Sequence, residues 1–216
     1  MKWIITFLTG CLLSSFCMGQ GSDPDAKKIL DQASSKIKSY PAVQVAFTLQ
    51  LQDAQGKPQG TKKGTVTMKG NKYVVSITGQ EIFCDGKTIW TYDKSGNEVT
   101  VTKVDPSSTN LSPQKLFTNF YDKDFLYKKN GEQKMGTKTV VEIELTPVDK
   151  SQNFHKIYLY VDKKTHLVVS GKMLDKSSNR YIYTVNSLNG KVKPADSFFV
   201  FDKAKHPGVE VVNLTE

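Results

Sequence analysis

Phe83-Cys84-Asp85-Gly86-Lys87-Thr88-Ile89-Trp90-Thr91-Tyr92-Asp93 is the stretch on which the fold turns. Asp85-Gly86 is a hairpin signal, because a tight turn needs positive φ and glycine supplies it without a Cβ clash. Strand formers flank it: Ile82-Phe83-Cys84 before, Ile89-Trp90-Thr91-Tyr92 after. The same grammar of a short alternating apolar run, a polar turn and another run recurs through most of the chain. It predicts a large antiparallel sheet. The sheet would carry more apolar side chains than a two-layer domain of this length places, so a ligand, a partner or a second layer has to cover the surplus.

Upstream of the sheet, Asp23-Pro24-Asp25 predicts a helix start, with Asp23 as N-cap and Pro24 at the first helical position. Ile29, Leu30, Ala33 and Ile37 then share one face at helical spacing, and Tyr40-Pro41 ends the helix. Val43, Val45, Phe47, Leu49 and Leu51 alternate with polar partners in a long strand. Asp53 to Gly60 reads as a turn, and Thr65 to Met68 as the next strand. After a break at 105–110, Ser112-Pro113-Gln114 opens a short helix carrying Leu116, Phe117, Phe120 and Tyr121. Further strands are expected over 125–128, 139–146, 156–162, 167–174 and 180–185, with a turn at Asn130-Gly131. The count is about eleven strands and two main helices in one domain.

The 216 residues suffice for a full core. Residues 1–19 read as a signal peptide: Lys2 is a charged start, Trp3 to Phe16 is apolar but too short to span a bilayer, and Cys17-Met18-Gly19 offers small residues before a cut at Gln20. Leu8-Thr9-Gly10-Cys11 has the pattern of a lipid-attachment site, although it lies early for one. Residues 20–216 would form the exported domain, expected as a monomer in the periplasm. Of the three cysteines only Cys84 survives the cut, so no intrachain disulfide is expected, and Cys84 reads as a buried small hydrophobe.

The net charge is +9. Arg180 is the one arginine among 30 basic residues, whereas readers of nucleic acid lean on arginine for bidentate contacts, so nucleic acid is not an expected partner. Scattered lysines suit a protected β surface, with weak attraction to anionic lipid or an acidic partner as the remainder. His155, His166 and His206 show no metal-ligand spacing, and no nucleophile or phosphate-loop motif occurs. Glu142 and Glu144 read as the solvent face of a strand. No enzyme activity, metal or cofactor is expected.

The order of these elements resembles the LolA family, the periplasmic carriers of outer-membrane lipoproteins. The carrying features are the opening helix, the long strand with Phe47, Gly64-Thr65-Val66-Thr67-Met68-Lys69, and Asp85-Gly86-Lys87-Thr88-Ile89-Trp90-Thr91-Tyr92-Asp93. The aromatic helix, Asp196 to Phe201 and Pro207-Gly208-Val209-Glu210-Val211-Val212 complete them. The resemblance implies an unclosed, half-barrel β-sheet of about eleven antiparallel strands under a helical lid, with an apolar cavity for lipoprotein acyl chains. It implies receipt of cargo from an inner-membrane lipoprotein-releasing transporter and delivery to an outer-membrane receptor. The family latches its lid with an arginine on an early strand; here Lys62 and Lys63 are the only nearby cations.

On this reading the cavity face comprises Phe47, Leu49, Met68, Tyr73, Val75, Ile77, Trp90, Tyr92, Ile157, Leu159, Leu167, Val169, Tyr181 and Tyr183. The lid comprises Ile29, Ala33, Ile37, Leu116, Phe117, Phe120 and Tyr121. Assigning faces by alternation risks inversion by one residue, and Ile89 and Thr91 have the opposite parity to Trp90 and Tyr92. The alternative function is a periplasmic sensor of lipid or lipoprotein on the same scaffold, which typically has a second domain. A generic lipid shuttle and an exported hydrolase stand behind it.

Overall fold

Asp23-Pro24-Asp25 starts helix α1 (Pro24–Lys38) as its composition dictates. The computed structural model describes residues 22–105 and 121–215. Asp23 Oδ1 accepts the N–H groups of Asp25 at 2.8 Å and Ala26 at 3.3 Å, satisfying donors the helix itself cannot. Its Oδ2 accepts the N–H of Lys129 at 3.0 Å, and its own N–H donates to the Tyr127 carbonyl at 3.0 Å. One residue therefore caps the helix and fastens it to a distant strand. The Lys129 N–H above all, with those of Ala26 and Asp25, holds the Asp23 carboxyl below its usual 3.8. Its contribution is therefore fully present above pH 3.8 and is lost as pH falls through the depressed value. Asp23→Ala is expected to cost about 1–2 kcal/mol in urea denaturation at neutral pH, and the gap from the parent should close on acidification.

Twelve strands follow among the described residues: β1 (Val43–Gln52), β2 (Pro58–Lys69), β3 (Lys72–Ile77), β4 (Gln80–Cys84), β5 (Thr88–Asp93), β6 (Glu98–Lys103), β7 (Phe125–Met135), β8 (Lys138–Pro147), β9 (Phe154–Asp162), β10 (Val168–Asp175), β11 (Arg180–Asn189) and β12 (Glu210–Asn213). They form one sheet in the order β12-β6-β5-β4-β3-β2-β1-β11-β10-β9-β8-β7. The sheet is unclosed, with β12 and β7 at its edges. Every pairing is antiparallel except that of β12 with β6. The eleven antiparallel strands of the expectation are joined by a short twelfth, which the tail lays alongside β6.

Local chemistry explains the turns. Gly86 takes φ +94°, and Asp85 Oδ1 accepts from the Lys87 and Thr88 N–H groups, each at 2.8 Å. Two expectations need correction. The stretch from Pro58 is not a turn but the exposed half of β2, whose Lys62 and Lys63 pair with Leu49 and Thr48 through the backbone. Asn130-Gly131 is not a hairpin but a bulge inside β7: the register with β8 slips between Lys129 and Gly131, and the chain reverses at Gly136, where φ is +59°.

Among the described residues three apolar clusters form. The first joins Ala26 and Leu30 of α1 to Tyr127, Ile143, Leu145, Ile157 and Leu159. The second joins Ile37 to Val43, Val45, Val66, Met68, Tyr73 and Cys84. The helix thus spans the concave face and seals both ends of its stripe against strands from opposite halves of the sheet. The third cluster lies on the convex side: Tyr92 and Val99 pack with Phe201 and Val209 of the tail.

Candidate functional site

Registry across the sheet decides which side chains share a face. Val45 stands opposite Val66, Val66 opposite Val75, and Val75 opposite Ile82. One row over, Phe47 faces Gly64 and Gly64 faces Ile77. On the other side of β1, Phe47 faces Val185, Leu49 faces Tyr183 and Leu51 faces Tyr181. Tyr183 and Tyr181 continue to Gly171 and Met173, and these to Leu159 and Ile157. Residues of these rows that meet α1 form the first two clusters, so the rows line the concave face.

Of the proposed cavity residues, Phe47, Leu49, Met68, Tyr73, Val75, Ile77, Ile157, Leu159, Tyr181 and Tyr183 lie in these concave rows. Leu167 precedes β10 and packs against the second cluster. Val169 falls in the irregularity between Val168 and Ser170, where the register with β9 shifts. Trp90 and Tyr92 do not join them. Cys84 pairs with Ile89 and Ile82 with Thr91, so the concave parity of β5 belongs to Ile89 and Thr91. Trp90 and Tyr92 point to the convex side and pack in the third cluster. The physical reason is that β4 and β5 are covered on both faces: Ile82, Cys84 and Ile89 pack in the cluster that holds Ile37 of α1, and Phe83, Trp90 and Tyr92 pack with the C-terminal tail, so apolar residues of both parities are required.

Within the concave face the covering is uneven. Leu49, Leu51, Ile77, Tyr181 and Tyr183 belong to neither cluster under the helix. Tyr183 is 37% exposed, and Phe47, Leu51, Ile77 and Tyr181 are half-buried. The Phe47 and Tyr183 rings meet at 6.2 Å with a 51° tilt. A Cβ at Gly64 would lie 2.7 Å from both the Phe47 ring and the Ser76 carbonyl oxygen, so glycine lets the Phe47 ring settle flat along β2. The centre of the sheet therefore presents an aromatic and aliphatic strip that the described helices leave partly open.

Among the residues expected to form the lid, Ala33 and Ile37 are buried and Ile29 packs on the first cluster. Leu116, Phe117 and Phe120 lie outside the described residues. Tyr121 opens the single turn α2 (Tyr121–Asp124) and is buried. Its hydroxyl donates to Asp31 Oδ1 at 2.7 Å, Lys27 sits 5.9 Å above its ring, and the ring meets Tyr127 edge-on at 6.0 Å. This α1–α2 contact was not foreseen in the sequence, because it couples a polar helix face to an aromatic 90 positions later. It ties the two helices without an arginine.

The remaining chemistry is sparse. Cys84 is 2% exposed, and burial pushes its thiol above the usual range, as it does the neighbouring Tyr73 phenol, so a thiolate is suppressed. Among the described residues no group of three or more His, Cys, Asp and Glu is arranged to hold a metal. His155 and His206 use Nδ1 on the backbone oxygens of Asp175 and Asp202. Glu142 and Glu144 form a convex network with Asn130, and Lys156 meets Glu144 at 2.6 Å. No helix among the described residues is long and apolar enough to cross a membrane.

Comparison with known proteins adds the following. The family model described as outer membrane lipoprotein carrier protein LolA matches residues 38–202. An outer-membrane lipoprotein carrier protein from Cupriavidus necator is 33% identical over 135 residues, covering 59% of this chain and 62% of the relative. The chain thus aligns with less than two thirds of that relative's length. A protein of the same description from Pasteurella multocida is 28% identical over 207 residues, 94% of each chain. The crystal structure of an uncharacterized conserved protein from Thermus thermophilus superposes with a TM-score of 0.61 at 14% identity, covering 88% of this chain and 99% of that one. At that identity the likeness is one of fold.

Proposed function

The chain belongs to the LolA family of outer membrane lipoprotein carrier proteins, and from that membership we propose that it carries lipoprotein acyl chains across the periplasm. Residues 1–19 serve as the export signal and residues 20–216 as the carrier unit. The cargo comes from an inner-membrane transporter and passes to an outer-membrane receptor, and the protein works as a monomer. The observation that carries this reading is the partly open strip of Phe47, Leu51, Ile77, Tyr181 and Tyr183 around the buried Leu49 on the concave face.

The energetics require such a strip. At ~0.8 kcal/mol per buried methylene, a chain of ~15 methylenes resists leaving a bilayer by ~12 kcal/mol. A carrier has to offer an apolar surface of comparable quality while remaining able to give the cargo up. Half-covered side chains meet both needs: they gain from new cover, yet their loss of it does not unfold the sheet. The buried cores under α1 supply the stability, and the strip between them supplies the binding.

Mass spectrometry of the protein purified from its own periplasm tests this. Acylated polypeptide is expected in the bound fraction, and depletion of the protein is expected to deplete lipoproteins from the outer membrane. Free lipid alone points to a general shuttle. Unchanged outer-membrane lipoproteins with altered envelope signalling point to the sensor. Either result overturns the carrier.

A further inference from the structure

The segment after β11 crosses the convex face as a strap. Lys69 Nζ donates to the Pro194 carbonyl at 3.3 Å and to Asp196 Oδ1 at 2.9 Å, and Lys72 reaches Asp196 Oδ2 at 3.0 Å. From this root the chain forms a 3-10 turn (Asp196–Phe199) and runs towards β5. Phe199 is completely buried, and Phe201 packs on Phe83 at 5.7 Å and Tyr92 at 5.5 Å. The alternate residues point away from the sheet: Phe198 is 45% exposed and Val200 is 41% exposed.

The Phe198 ring leans edge-on against Phe199 at 5.4 Å, yet close to half of it, like Val200, faces solvent. Phe199 and Phe201 already clamp the strap, and a polar residue at 198 or 200 would leave that clamp intact. Instead a phenylalanine and a valine turn one side to solvent at the crest. Lysines surround them in the chain. Lys191, Lys193, Lys203 and Lys205 are all exposed, and with Lys69 and Lys72 at the root they outnumber Asp196 and Asp202, the two acidic residues of the 191–205 segment. Asp196 is engaged by both root lysines, and Asp202 lies 3.4 Å from Lys205 while capping Ala204 at 3.1 Å. The strap is thus a short apolar crest with a net positive rim, held in place by its own ion pairs.

We propose that this strap is a docking surface for an anionic lipid bilayer. The crest residues enter the headgroup boundary, and the lysines sit among the anionic headgroups with their stems along the apolar edge. The surface lies on the convex side, opposite the concave strip, so membrane docking leaves the proposed acyl site unblocked. The inference stands whether or not the concave strip takes acyl chains.

Flotation with vesicles of equal parts phosphatidylglycerol and phosphatidylcholine tests it, beside vesicles of phosphatidylcholine alone. The protein is expected to float with the anionic vesicles only, and to be released by salt, since exposed charges are screened beyond ~10 Å at about 0.1 M. Replacing Lys191, Lys193, Lys203 and Lys205 together by Gln should weaken partition roughly 600-fold, at about fivefold for each lysine. F198S with V200S should weaken it about tenfold or more, with the sheet intact by circular dichroism and only a small drop in thermal stability from the lost Phe198–Phe199 contact. A control with Lys128, Lys134, Lys163 and Lys164 changed to Gln removes the same charge from β7 and the β9–β10 turn, and should bind as the parent does. Absence of vesicle binding overturns the proposal, as does equal loss in the control, an unchanged F198S/V200S variant, or binding of soluble polyglutamate in place of vesicles, which would mark an acidic protein partner. Acyl-probe titration of the same variants should be unchanged, so failure here is separable from failure of the carrier reading.

Discussion

Phe201→Ala is expected to destabilise the protein by about 3 kcal/mol, the low end for removing a large aromatic from a packed site. For a chain of this size that lowers the melting temperature by roughly 6–12 °C. The residue is 9% exposed. It touches Phe83, Tyr92 and His206, whose ring stacks on it at 4.5 Å. Truncation would leave a void that these rings cannot close, because Phe83 and Tyr92 are fixed on adjacent paired strands, β4 and β5. A second consequence follows from topology. Phe201 is the anchor beyond the Asp196 root, so its loss frees the stretch carrying Lys203 and Lys205. Limited trypsin digestion should cut there in the variant much faster than in the parent. If melting temperature and cleavage are both unchanged, the tail does not cover Tyr92, and the assignment of Trp90 and Tyr92 to the convex side fails with it.

That assignment shows where a sequence of this kind is legible. Asp23-Pro24-Asp25, the alternation of Val43 to Leu51 and the Asp85-Gly86 turn each rest on local chemistry, and each takes its expected form. Local chemistry also produced the errors. Asn130-Gly131 has the composition of a turn, but the β7–β8 ladder continues on both sides of it, so the glycine is used for a bulge. The first half of β2 is polar and exposed, with no apolar rhythm to announce it, and it is a strand only because β1 supplies a partner. Trp90 and Tyr92 failed for a different reason. Alternation identifies a buried face only when the other face is wet, and here a segment about 110 residues further on covers the second face. The Tyr121–Asp31 bond lies beyond any pattern reading, since neither partner's neighbours signal the other. Long-range cover, rather than secondary structure, is what one sequence withholds.

The largest functional effect is expected from charge placed in the concave strip. Phe47→Glu should weaken binding of a fluorescent fatty-acyl probe by about thirtyfold or more, since a carboxylate facing an acyl chain without a partner costs at least ~2 kcal/mol. Phe47 is half-buried, so the unliganded protein can hydrate the new carboxylate and fold; at Val45, which is 1% exposed, the same charge should prevent folding. Tyr183→Glu repeats the test at the most exposed position of the strip, where folding is least at risk. Trp90→Glu supplies the opposite outcome: it should lower thermal stability by disturbing the convex cluster while leaving probe affinity near that of the parent. The three variants together separate the two faces. Retention of affinity in both Phe47→Glu and Tyr183→Glu, with circular dichroism showing intact sheet, would place acyl binding elsewhere. Loss in Trp90→Glu alone would invert the faces. Loss in the two concave variants alone ties binding to the concave strip around Phe47 and Tyr183, which the described helices leave partly uncovered and whose exposure has a thermodynamic reason if an acyl chain comes to cover it.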